Sequence, residues 1–70
     1  MYAYNFRGRG AVDGTVVVDI ISDSAPSTMP TDGSDVTNME ATDVIAPSST
    51  LMVLSTNTTY MLGESAWYPI

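Results

Sequence analysis

Thr15-Val16-Val17-Val18-Asp19-Ile20-Ile21 is the stretch whose reading decides the fold class. All of its residues but Asp19 are β-branched. Such side chains are stiff about χ1, crowd a helix and pack well on a pleated surface, so the run predicts a strand. Because apolar residues follow one another without alternation, the expected strand is buried on both faces. Asp13-Gly14 just before it is turn chemistry. After it the composition shifts to Ser, Thr, Asp, Pro and Gly from Ser22 to Asn38. Pro26 and Pro30 restrict the backbone and Asp32-Gly33 marks a further turn, which predicts an irregular loop over residues 22–43. Within it, Asp35 to Glu40 has room for one helical turn with Asp35 as its cap. A loop of this length is uncommon inside a compact domain and is usually functional or bound to a partner.

Working outward toward the C-terminus, Leu51-Met52-Val53-Leu54, Thr59-Tyr60-Met61-Leu62 and Ala66-Trp67-Tyr68 are short apolar runs separated by turn chemistry. Asn57 sits in the first gap and Gly63-Glu64-Ser65 fills the second, lengths that suit hairpins. They predict a three-stranded meander over residues 51–70. Period-two counting puts Tyr60 and Leu62 on one face and Thr59 and Met61 on the other. Val44-Ile45, ahead of Ala46-Pro47, adds a short edge strand. Toward the N-terminus, Tyr2, Tyr4 and Phe6 alternate at strand spacing, and Gly8 and Gly10 around Arg7 and Arg9 predict a flexible or bulged exit. Residues 1–10 are read either as an edge strand or as an arm ordered against a partner. The fold class is all-β: a small antiparallel sheet or barrel-like domain over residues 11–70, with the long loop and the C-terminal meander. No internal repeat or amphipathic helix is visible.

Composition narrows the function. A 70-residue chain holds one thin core, and without cysteine it has neither disulfides nor thiolate metal sites. Histidine is absent too, removing the commonest transition-metal ligand and the side chain that titrates near neutrality. What remains to stabilise so small a core is self-association or docking on a partner. Eight acidic residues against Arg7 and Arg9, with no lysine, give a net charge of −6. This balance argues against nucleic acid, whose phosphates are bound through Lys and Arg, and against anionic membranes. No apolar stretch approaches the roughly 20 residues that span a bilayer, and the N-terminal residues lack signal-peptide order, so a soluble chain without a cleaved export signal is expected.

Candidate chemistry is sparse. Asp32, Asp35 and Glu40 around Gly33 offer hard oxygen ligands for calcium, but their spacing misses the EF-hand pattern and a solvated acidic loop is the preferred reading. Asp19 is an acid inside an apolar run; a solvent-facing position, pairing with Arg7 or Arg9, or the blunting of a strand edge each explains it better than catalysis. Serine and threonine abound without histidine or lysine to activate them. Asn57-Thr58-Thr59 matches a glycosylation sequon, and a hairpin turn accounts for it. The aromatics cluster at the chain ends, where packing in the core or between subunits is preferred over a stacking platform for bases or sugars. The expectation is a protein that is not an enzyme and has no cofactor or metal, with a small ligand-binding β module whose aromatic surface holds a ligand as an alternative to a structural role. Its candidate protein-contact residues are Tyr2, Tyr4, Phe6, Arg7, Arg9, Tyr60, Trp67 and Tyr68.

Residues 26–70 also carry a family likeness. Pro30-Thr31-Asp32-Gly33-Ser34-Asp35-Val36, Ala46-Pro47-Ser48-Ser49-Thr50-Leu51-Met52-Val53-Leu54-Ser55-Thr56, Thr59-Tyr60-Met61-Leu62 and the closing Trp67-Tyr68 together resemble short structural proteins of tailed bacteriophages. The first ten residues have no counterpart in that pattern. The resemblance implies a virion component assembled in the host cytoplasm: a head decoration or head-fibre protein, or a piece of the tail, neck or baseplate. Its implied partners are further copies of itself, a trimer among the options, and other virion proteins such as the major capsid protein. It implies no catalytic residues.

Overall fold

The computed structural model describes the backbone of residues 2–9 and 14–70, and the side chains of Arg7 and residues 14–70. The predicted turn at Asp13-Gly14 and the exit at Gly10 fall largely outside them; Gly14 itself is a turn residue. Six strands are described, β1 Tyr2–Arg9, β2 Thr15–Ser22, β3 Val44–Ile45, β4 Thr50–Val53, β5 Thr58–Leu62 and β6 Trp67–Pro69. They form one sheet in the order β1-β2-β4-β5-β6, with β3 also on β2. The chain is all-β, as its composition predicts, and its C-terminal strands β4, β5 and β6 form the expected antiparallel meander.

The pairing in the middle of the sheet differs from an all-antiparallel expectation. β2 runs parallel to both β3 and β4, pairing Thr15 with Val44 at one end and Asp19 through Ser22 with Thr50 through Val53 at the other. The sheet is therefore mixed, and among the described residues it is open, with β1 and β6 at its ends. The physical reason is the long loop: parallel neighbours need a crossover of a dozen or more residues, and residues 23–43 supply one.

β2 is also not buried on both faces. Its residues alternate strictly, with Val16, Val18, Ile20 and Ser22 buried and Thr15, Val17, Asp19 and Ile21 half-buried. Its unbroken apolar run hides a one-sided core, which holds Val16, Val18, Ile20, Val36, Ile45 and Leu51, with Tyr60, Leu62, Trp67, Met29 and Met39 packed against it. The loop supplies Met29, Val36 and Met39, so it is the second layer of the domain. Its backbone is tied down by the Gly33 N–H on the Asp43 carbonyl at 2.7 Å and the Ile45 N–H on the Thr31 carbonyl at 3.1 Å. The Trp67 indole N–H adds a bond to the Pro30 carbonyl at 3.0 Å.

The helical turn in this loop comes earlier than predicted. It is a 3-10 turn at Gly33–Asp35 capped by Asp32, whose carboxylate accepts the Ser34 N–H at 3.0 Å. Asp35 lies inside it and does not cap it. Gly33 is obligatory for packing, since a Cβ there would overlap the Glu40 carbonyl oxygen.

β1 lies at one end of the strand order, within the residues read either as an edge strand or as an arm. It pairs with β2 antiparallel from Tyr2 opposite Ile21 to Arg9 opposite Val16, with register shifts between Ala3 and Asn5 and between Phe6 and Gly8. The shifts break period two, so positions 2 and 6 are paired with residues on opposite faces of β2.

Candidate functional site

Register separates the sheet into two faces with different chemistry. On the inner face Ile20 neighbours Leu51 and Leu51 neighbours Tyr60, all turned toward the loop layer. On the outer face one transverse row runs Asp19, Thr50, Met61, Tyr68 and the next runs Ile21, Met52, Thr59. Met52 is 41% exposed, Met61 38% and Tyr68 57%. Leu54 extends the second row's end of β4 through its N–H on the Ser22 carbonyl, and Ile70 continues β6 through its N–H on the Thr59 carbonyl; both are also exposed. Large apolar side chains are left facing water here because the described loop layer packs on the other side.

The charges on this face are closed upon themselves. Arg7 falls in the second register shift of β1, before Gly8 at φ +152°, a backbone region reserved for glycine. From this bulge Arg7 Nε reaches Asp19 Oδ1 at 3.1 Å, and its guanidinium also donates to the Ser48 carbonyl. The Thr50 hydroxyl donates to the same Asp19 oxygen at 2.5 Å. The pairing of Asp19 with Arg7 is one of the three readings offered for it, and with the Thr50 bond it ties β1, β2 and β4 across the outer face.

Ser49 is the residue that sequence reading missed. It bridges the gap between β3 and β4 along β2: it is fully buried, and its hydroxyl accepts the Val18 N–H at 3.0 Å in place of the missing ladder bond. Its carbonyl accepts the Leu62 N–H at 2.9 Å. The only cue is a serine before an apolar run, which is too common to single it out.

The candidate contact residues divide. Tyr60 and Trp67 pack on the core, Arg7 is engaged with Asp19, and Tyr68 lies on the outer face. The Tyr68 ring rests on Gly63, where a Cβ would come within 2.9 Å of it. The side chains of Tyr2, Tyr4, Phe6 and Arg9 lie outside the described residues. The acidic loop does not converge: Asp32 caps the 3-10 turn and Asp35 accepts the Thr31 N–H at 3.4 Å. Among the described residues no group of three acids is placed to hold a metal ion. Asn57, at φ +54°, closes the β4–β5 hairpin through its N–H on the Leu54 carbonyl. No helix among the described residues is long and apolar enough to cross a membrane.

A cleft of about 250 Å³ opens between Pro30, Ile45, Leu62 and Trp67 with Glu64 at its rim. It is smaller than the roughly 300–1,000 Å³ of typical ligand pockets. No protein-family model, curated protein or solved structure matches this chain.

Proposed function

We propose that this protein is a non-enzymatic structural component of a bacteriophage virion, a capsid decoration or head-fibre subunit that self-associates and docks on the major capsid protein. One observation carries the reading: among the described residues the sheet is covered on a single side, and its other side presents Met52, Met61 and Tyr68 to water. A domain this small gains by sharing such a face, since whatever binds the folded state stabilises it by mass action. The buried polar side chains described are spent on structure: Ser49 accepts the Val18 N–H and the Ser22 hydroxyl donates to the Ser24 carbonyl. The likeness of residues 26–70 to tailed-phage structural proteins supplies the setting. An excess of negative charge suits a subunit displayed in many copies, because it suppresses non-specific association.

The test is recovery of the chain from purified particles. Quantitative mass spectrometry of separated heads and tails is expected to find it at fixed, multi-copy stoichiometry in the head fraction, and added protein is expected to co-sediment with heads that lack it. Recovery with tails would assign it to the tail, neck or baseplate. Absence from both fractions would end the virion reading.

A further inference from the structure

The outer face differs from the remaining described surface in charge as well as polarity. Asp23, Asp32, Asp35, Glu40, Asp43 and Glu64 all lie outside the strands, in the loops and at the sheet's ends. The one strand acid described on the outer face, Asp19, is held against Arg7. Two copies of a chain of net charge −6 repel one another through their loops, but meet through this face with balanced charge. A strongly basic partner is drawn to the loops instead, which leaves this face suited to a neutral, apolar surface of similar extent.

Topology points the same way. β2 has parallel neighbours in β3 and β4, and among the described residues no second layer covers the outer side of these strands. Edge-to-edge pairing is disfavoured, because β1 is bulged at two positions and β6 ends in Pro69, which has no N–H to offer. Five strands at about 4.8 Å spacing give a face of the order of 500 Å² per copy, so a face-to-face pair buries about 1,000 Å², the lower bound for a specific interface.

We infer that the outer face, centred on Met52, Met61 and Tyr68, docks the same face of a second copy around a two-fold axis, completing a two-sheet sandwich. This deepens the self-association in the proposed function and stands or falls separately from particle incorporation. Two-fold packing makes the patch its own complement, and methionines fill irregular gaps and pack well on an aromatic ring such as Tyr68.

The experiment is sedimentation equilibrium on the full chain across micromolar to millimolar concentrations. The wild type is expected to rise from monomer to dimer and stop there. Met61→Glu is expected to raise the dissociation constant at least about tenfold, while Ala41→Glu, which adds the same charge at an exposed loop position, changes it less than about threefold. A wild type that stays monomeric, a trimer, or equal effects of the two variants overturns the inference. Peroxide oxidation of the wild type, read by mass spectrometry, keeps the test sound if Met61→Glu fails to fold. Met52 and Met61 are expected to oxidise more slowly as concentration rises and Met29 is not; rates independent of concentration overturn it. A dimer that is missing from particles would refute the virion role and leave this interface standing.

Discussion

The inner and outer faces of this sheet are made from alternate residues of the same strands, yet one is a packed core and the other faces water. Leu51 and Met52 are chain neighbours of similar volume; the first is 0% exposed and the second 41%. The difference comes from residues 23–43, which fold over one side only and bring Met29, Val36 and Met39 to it. Hydrophobicity alone therefore does not decide burial in a domain this thin. The route of the crossover does.

The sharpest way to break this comparison is a pair of truncations. Leu51→Ala is expected to cost roughly 2–5 kcal/mol through lost burial and a cavity, close to the whole stability of so small a domain. Met61→Ala is expected to cost under about 1 kcal/mol in dilute protein, where its side chain is already partly in water. Urea midpoints measured at low concentration check both, and equal costs would mean that the outer face is covered within the monomer. Gly33→Ala asks whether the loop layer is required. The clash with the Glu40 carbonyl has backbone on its far side, so a loss of about 3 kcal/mol is expected, read as an earlier thermal transition and faster exchange of the Ile45 amide.

Ser49→Ala leaves the buried Val18 N–H without its acceptor and is expected to cost about 1–3 kcal/mol. Ser49→Cys, close in shape but only a weak acceptor through its sulfur, should restore little of it; full recovery would show that packing, not the hydrogen bond, matters there. The smallest effect is expected on the outer face. Arg7 and Asp19 are 41% and 34% exposed, so a double-mutant cycle of Arg7→Ala and Asp19→Ala should give a coupling below about 1 kcal/mol that weakens in high salt. A larger coupling that grows with protein concentration would place the pair inside an interface.

Much of the secondary structure was legible. The β-branched run of β2, the spacing of the meander and Val44-Ile45 are local signals, and each strand is where residue type and turn chemistry put it. The division of Tyr60 and Leu62 from Thr59 and Met61 follows from the pleat and is seen in the register. The candidate face was half legible: Tyr68 stood out as an aromatic and lies on it, whereas Met52 and Leu54 did not, because valines, leucines and methionines on both sides of a strand leave no contrast to read. The helical turn was misplaced because Asp32 and Asp35 are equally good caps by type, and the choice between them depends on the close approach of Gly33 to Glu40.

Strand identity, turn positions and the scarcity of catalytic groups are properties of the chain alone, since all three depend on residue type and on neighbours a few positions away. Folding settled the rest: that β2 and β4 lie parallel, that the loop is a layer, and which strand face it covers. Those outcomes rest on residues such as Val36 and Leu51 joining one core, and on contacts such as Trp67 with Pro30, whose separation along the chain leaves no periodic trace in the sequence.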